Sequence, residues 1–131
     1  MTYELTTCDI MVRVTPEFME ADSDPAALRY LWAYTVEIFN GGPHAVQVMN
    51  RHWQITDGFG HSTEVRGKGI IGKQPIIEPG NSFSYTSGAP LATPSGIMGG
   101  VYEVRDDNGF VFDVLIPNFS LDSRHDRARV H

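Results

Sequence analysis

The sequence predicts an all-β fold, an antiparallel β-sandwich of about seven or eight short strands. Three observations support this prediction. Apolar and polar residues alternate in short runs, and turn-forming residues recur about every eight to twelve positions. No stretch keeps the 3.6-residue period of an amphipathic helix. The chain of 131 residues is long enough for one domain with a sizeable core.

The first predicted strand comprises residues 10–15, in which apolar side chains occupy alternate positions on one face. We expect Pro16 to end this strand, because proline cannot donate a ladder hydrogen bond. Residues 16–27 are acidic and contain a second proline, which is typical of an exposed loop. Within it, residues 24–29 can form one short helical turn.

The clearest strand runs from Arg29 to Phe39, because aromatic and β-branched residues suit a pleated surface packed on one side. Its buried face is expected to carry Trp32, Tyr34, Val36 and Ile38. A strong turn signal, Asn40-Gly41-Gly42-Pro43, follows.

The next strand, residues 45–56, changes the parity of its apolar positions. They are even-numbered up to Val48 and odd-numbered from Trp53. A regular strand cannot change its buried face without an extra residue. We therefore predict a β-bulge or bend between Met49 and His52.

The second half of the chain begins with a predicted hairpin at Asp57-Gly58, whose returning strand comprises residues 62–66. The glycine segment, defined as residues 67–72 (Gly-Lys-Gly-Ile-Ile-Gly), follows. The remaining predictions are strands at residues 82–86, 98–105 and 110–116, the last closed by Pro117, with a loop over 87–96 and an Asn-Gly turn over 106–109. We expect one sandwich domain over residues 1–121 and a polar, mobile tail over 122–131.

Charge and composition exclude several classes of protein. A protein with a net charge of −6 is not attracted electrostatically to nucleic acid, so we expect no nucleic-acid partner. No apolar run approaches the length of a membrane span, and the N-terminus lacks a secretory signal, so we expect no membrane insertion. The lone Cys8 cannot form an intrachain disulfide, which is consistent with a cytoplasmic protein. With no histidine nearby in sequence, Cys8 is expected at a strand start as inert packing.

Several motifs together resemble the bacterial ApaG family, also called CorD. They comprise residues 51–57, 65–75, 79–80, 85–88, 96–102, 112–114 and 116–117. The resemblance runs from about Val12 to Leu121 and implies a fibronectin-type-III or immunoglobulin-like sandwich. Members are linked to cobalt resistance and magnesium efflux, and the domain occurs in eukaryotic F-box proteins as an interaction module. No catalytic residue can be carried over, so we expect neither an enzyme nor a cofactor.

The glycine segment formally matches the dinucleotide fingerprint G-x-G-x-x-G at Gly67, Gly69 and Gly72. That motif needs a helix after the glycines, and Pro75 leaves no room for one. We interpret the segment as a crossing between strands that needs glycine for positive φ or close packing. The alternative is an anion-binding nest for phosphate or pyrophosphate, formed by Arg66, Gly67, Lys68, Gly69, Gly72 and Lys73.

Two groups of residues merit a test as metal ligands. His52, His61 and Asp57 flank the predicted hairpin, and the acidic loop carries Glu17, Glu20, Asp22 and Asp24. Neither group has the spacing of an established metal site, so we assign no metal ligand. Trp32 and Trp53 are expected in the core.

Phe59 lies at the tip of the predicted hairpin, where it either folds back onto the sheet or contacts a partner. The first functional hypothesis is a non-enzymatic interaction or regulatory module that bears on divalent-cation homeostasis and contacts a protein partner through Phe59, Arg66 and Lys68. The alternative is a small phosphate- or nucleotide-binding sensor that uses the glycine segment. Direct binding of cobalt or magnesium is a third possibility.

Overall fold

The computed structural model describes residues 1–126 and confirms the all-β prediction. Within these residues the chain forms nine strands, with two short 3₁₀ turns at Glu20–Asp22 and Pro25–Ala27. The strands are β1 (Tyr3–Thr7), β2 (Ile10–Phe18), β3 (Tyr30–Asn40), β4 (Val46–Asp57), β5 (Ser62–Lys68), β6 (Ile76–Ile77), β7 (Ser82–Leu91), β8 (Gly96–Asp106) and β9 (Val111–Leu121).

The strands form two antiparallel sheets packed as a fibronectin-III-like sandwich. The first sheet has the order β1-β2-β3-β7, and the second has the order β5-β4-β8-β9. The short β6 pairs with the beginning of β4, on the same edge that β5 occupies further along. After the glycine segment the chain therefore pairs with β4 again, through β6. It crosses to the first sheet between β6 and β7. Among the described residues, no helix is long and apolar enough to cross a membrane.

The core lies between the sheets and is rich in aromatic side chains, as the alternation predicted. On β3 the predicted inward residues are all buried, and Trp32 and Trp53 both lie in the core. Trp53 contacts Tyr34, Tyr102 and Phe119, with ring centroids 5.4, 6.3 and 6.1 Å away. These edge-to-face contacts join aromatic rings within the second sheet and, through Tyr34, connect the two sheets.

The predicted β-bulge is present in β4. The register against β8 shifts between Val48 and Asn50, so Met49 is the extra residue, at the start of the predicted interval. After the bulge the odd-numbered residues face inward. This puts Arg51 in line with the buried Trp53, on the inner side of the sandwich.

Two predictions about the N-terminal region were wrong. Strand β1 was not predicted, and Cys8 and Asp9 form the turn between β1 and β2 with φ of 48° and 68°. Cys8 is therefore exposed in a turn and does not pack at the start of a strand. Pro16 also does not end β2, which continues to Phe18. Because β1 pairs only as far as Val14, the missing N–H of Pro16 has no effect on a ladder with β1.

The last strand likewise passes through a proline. β9 continues beyond Pro117 to Leu121, and β7 extends to Leu91 into the predicted loop. The register of β9 against β8 shifts between Met98 and Gly100. A bulge beside Pro117 absorbs the lost ladder hydrogen bond.

Residues 122–126 contact the end of the sandwich. The Nε1 group of Trp32 donates to the Asp122 carbonyl oxygen at 2.8 Å. The ring of His125 packs at 5.7 Å from Phe18 and 6.0 Å from Tyr30. The predicted boundary at Leu121 stays a prediction, and residues 127–131 of the predicted tail lie outside the described residues.

Candidate functional site

The glycine segment ends in a tight reverse turn whose backbone requires its glycines. Ile70 and Lys73 exchange two backbone hydrogen bonds, of 2.6 and 2.9 Å. Between them, Ile71 and Gly72 have φ of 47° and 75°. Gly69 has φ of 62°, and a Cβ added there would lie 1.9 Å from the Lys73 carbonyl oxygen. Glycine here serves chain direction and close packing, and strand β6 follows where a dinucleotide-binding fold has a helix.

Several amides in and beside the glycine segment, including those of Gly69 and Lys73 from the predicted anion nest, already have partners in the fold. The N–H of Gly69 donates to the Met49 carbonyl at 2.8 Å, and the N–H groups of Ile70 and Lys73 form the turn itself. An anion at this segment would therefore depend on side chains more than on the backbone. The anion site stays a prediction.

Two basic side chains of the predicted site, those of Arg66 and Lys68, lie on the outer face of the second sheet. Arg66 is in register with His52, and Lys68 with Asn50, so both point away from the core. The Arg66 side chain is 71% exposed, and its Nη2 atom lies 3.6 Å from Glu64 Oε2. Lys73 is exposed in the turn. The structure thus puts Arg66 and Lys68 on one surface and Lys73 beyond the end of β5.

Arg51 is a site residue that the sequence reasoning missed. Its guanidinium lies across Gly67, where an added Cβ would come within 2.6 Å of Cζ. Nη1 donates to the carbonyl oxygens of Lys68 and Gly69, both at 3.1 Å. The missing side chain of Gly67 makes room for this arrangement. The predicted bulge was the signal that could have found Arg51, because it turns this residue inward.

A cleft of about 290 Å³ opens between the two sheets at the side where β5 and β7 are the last strands. Apolar and aromatic side chains from both sheets line it. Among the described residues, Arg51 is the one charged residue in this lining. Its other polar groups include the Tyr85 hydroxyl, which is hydrogen-bonded to that of Tyr102. Burial raises the pKa of both phenols, although the charge of Arg51 opposes the shift, so both stay protonated near neutral pH.

The turn between β4 and β5 carries Phe59 at its tip. Phe59 is 79% exposed, so the interpretation that it folds back onto the sheet was wrong. Asp57 Oδ1 accepts from the N–H groups of Phe59 and His61, at 2.8 and 3.0 Å. Gly58 N–H donates to Thr93 Oγ1 at 2.9 Å. The backbone of the turn is therefore held by hydrogen bonds while the Phe59 ring faces solvent.

In both candidate metal groups, side chains pair with other residues and do not converge on one point. His52 Nε2 lies 3.3 Å from Glu64, whereas His61 Nδ1 lies 3.6 Å from Asp57 at the far end of the hairpin. In the acidic loop, burial acts to raise the pKa of Glu20, but hydrogen bonds with Arg124 and His125 lower it below its usual value. No group of three or more His, Cys, Asp or Glu residues within 1–126 is arranged to hold a metal ion.

The fold and this surface define a class of protein, a small fibronectin-III-like β-sandwich with one open side. The family model of the ApaG domain matches residues 20–106. An ApaG protein of Methylorubrum extorquens (strain PA1) is 54% identical over 98% of this chain and 99% of its own length. One from Paramagnetospirillum magneticum is 49% identical with the same coverage. The chain belongs to the ApaG family.

A solved structure supports the same assignment. The crystal structure of an ApaA protein from Bordetella pertussis matches with a TM-score of 0.86 and 48% identity, over 89% of this chain and 95% of that one. A protein from Archaeoglobus fulgidus matches at 9% identity with a TM-score of 0.52 over 85% of this chain and 95% of that one, which shows the shared fold alone.

Proposed function

We propose that this chain is a non-enzymatic interaction module whose protein partner docks on the β4–β5 hairpin. The observation that carries the proposal is the exposure of β5. It is the last strand of its sheet, and within residues 1–126 no strand pairs with its outer edge. Six of its seven residues are exposed, and Gly67 is the exception. An uncovered strand of this length is a template for another chain.

The direction of the free hydrogen-bonding groups follows from the ladder. At the turn end of the β4–β5 ladder, the Asp57 N–H donates to the His61 carbonyl oxygen. At the other end, the Gly69 N–H donates to the Met49 carbonyl oxygen. Both pairs keep the register of β4 and β5, so the odd-numbered residues of β5 bond to β4. The amides of Glu64 and Arg66 therefore point to the uncovered side. A partner strand laid along β5 would pair with them.

Side chains around this edge supply contacts of two kinds. Phe59 offers an exposed aromatic ring, and exposed aromatic residues anchor many interfaces. Arg66 and Lys68 add positive charge on the outer face of a chain with net charge −6, which favours an acidic segment in the partner. The link of the family to cobalt and magnesium would then act through the partner, in the cytosol, without a metal ligand from this chain.

Affinity capture with matched variants tests this proposal. The tagged wild-type protein, Phe59→Ser and the double variant Arg66→Ala/Lys68→Ala are used to capture proteins from the lysate of the cells that make them. Phe110→Ser is the control, because Phe110 is 65% exposed but lies at the β8–β9 turn. We expect a protein recovered by wild type and Phe110→Ser and lost with the hairpin variants. Recovery of the same proteins by all four would contradict the proposal.

A second proposal is a phosphate- or nucleotide-binding sensor at the glycine segment. It is favoured by the exposed cations Arg66, Lys68 and Lys73 on either side of the turn. Titration with ATP or a dinucleoside polyphosphate is expected to give saturable, salt-sensitive shifts of the Gly67, Gly69 and Gly72 amide signals. Flat titrations at millimolar ligand would remove this proposal.

A further inference from the structure

The cleft between β5 and β7 is a second feature of the open side of the sandwich, and the docking proposal above does not involve it. The bulge at Met49 turns Arg51 toward the interior, and Gly67 leaves the space in which its guanidinium lies. Nη1 is held by two carbonyl oxygens at 3.1 Å, which fixes the plane of the group. The Nε and Nη2 groups make no hydrogen bond to residues 1–126. Arg51 therefore offers a fixed edge with free donors.

Within residues 1–126, no carboxylate pairs with the positive charge of Arg51. The described residues that line the cleft include no Asp or Glu. Tyr85 and Tyr102 do not supply a negative charge either, because burial keeps both phenols protonated. A guanidinium without an ion pair beside apolar walls attracts an anion, since water screens the charge less there than in bulk solvent.

We propose that the cleft binds a small organic carboxylate with a flat apolar body, and that the carboxylate pairs with the free edge of Arg51. The planar guanidinium matches a carboxylate through two parallel hydrogen bonds. Val65, Ile71 and Tyr85 provide walls for the apolar body. A volume of about 290 Å³ lies at the lower end of ligand pockets and suits a body of one ring.

This site is separate from the docking surface proposed above. Arg66 and Lys68 lie on the outer face of the second sheet, and Phe59 lies at the opposite end of β5 from the glycine segment. The two proposals therefore fail independently. Changes at Phe59, Arg66 or Lys68 leave the cleft intact, and changes inside the cleft leave the β5 edge uncovered.

The test uses phenylacetate as the probe, with phenylacetamide, acetate and inorganic phosphate as comparisons. Binding is followed by amide chemical shifts of the full chain at Gly88 and Ala89, which line the cleft. We expect saturable shifts with phenylacetate and binding at least about tenfold weaker for phenylacetamide, which lacks the charge, and for acetate, which lacks the ring. Equal affinity for phenylacetate and phenylacetamide, tighter binding of phosphate, or no saturation at about 20 mM overturns the proposal.

Two variants locate the site. Arg51→Gln is expected to weaken phenylacetate binding about tenfold or more, while the matched Arg66→Gln changes it less than about twofold. Ser87→Leu covers the case in which Arg51→Gln unfolds. Ser87 is an inward-facing residue of β7 that lines the cleft, so leucine would fill it without disturbing Arg51. We expect Ser87→Leu to keep its thermal midpoint and lose binding about tenfold, and wild-type affinity in either cleft variant overturns the proposal.

Discussion

The guanidinium of Arg51 lies against the backbone of Gly67, so close that a single added Cβ would come within 2.6 Å of Cζ. The Arg51 side chain of β4 thus occupies the space that a side chain at Gly67 of β5 would fill. The contact puts a cation at the open side of the sandwich and ties it to the carbonyls of Lys68 and Gly69. It explains one glycine of the segment by packing, without a bound phosphate.

Gly69 and Gly72 share a positive φ but differ in the space around them, which predicts different costs of substitution. An alanine Cβ at Gly69 would lie 1.9 Å from a backbone oxygen, whereas at Gly72 it would meet no atom of residues 1–126 within 4 Å. We expect Gly72→Ala to lower the free energy of unfolding by about 1 kcal/mol, from backbone strain alone. Gly69→Ala should cost about 3 kcal/mol, because the turn must also move. Urea unfolding of both variants checks this, and equal costs would contradict it.

The buried Tyr85–Tyr102 pair predicts a loss of stability at high pH. Their pKa values are raised in the folded protein, mainly by burial. Unfolded tyrosine ionises near pH 10, so above about pH 10 the unfolded state binds fewer protons and is favoured. Stability from these groups is complete below that pH and decreases as pH rises further. Urea unfolding between about pH 8 and 11 should show the decrease, and the double variant Tyr85→Phe/Tyr102→Phe should flatten it. An unchanged slope in the double variant would show that other groups cause it.

Glu64 tests whether a partner pairs with the edge of β5. Its N–H points to the uncovered side, so Glu64→Pro removes a donor to the partner and none to β4. We expect the recovered partner to bind this variant at least about tenfold more weakly. Glu64→Gln is the matched control, because it removes the charge and keeps the N–H. A partner that binds both variants equally well uses side chains and not the strand edge.

Residues 122–126 are expected to contribute to stability. Their contacts include the hydrogen bond from Trp32 to the Asp122 carbonyl and the packing of His125 on Phe18. A chain ending at Leu121 should unfold about 1–2 kcal/mol more easily than one ending at Asp126. Thermal and urea unfolding of the two chains compare them directly. Equal stability would support a domain that ends at Leu121.

Alternation and turn signals predicted the order of the main strands, and a change of parity predicted the bulge in β4. The failures have physical causes. The turn at Cys8 has no glycine or asparagine to mark its positive φ. Pro16 is tolerated because, among residues 1–126, no strand lies on the side toward which its backbone nitrogen points. Arg51 was overlooked because a charged residue in a strand usually faces water. Its place depends on Gly67, which is distant in sequence and adjacent only after β5 pairs with β4.

Hydrogen exchange of the β5 amides, with and without the captured partner, tests the docking surface most directly. In the free protein we expect the amides of Glu64 and Arg66 to exchange quickly, and those of Val65 and Gly67, bonded to β4, to exchange slowly. The partner should then slow exchange at Glu64 and Arg66. Unchanged exchange at both, with new protection elsewhere on the sandwich, would contradict docking on β5.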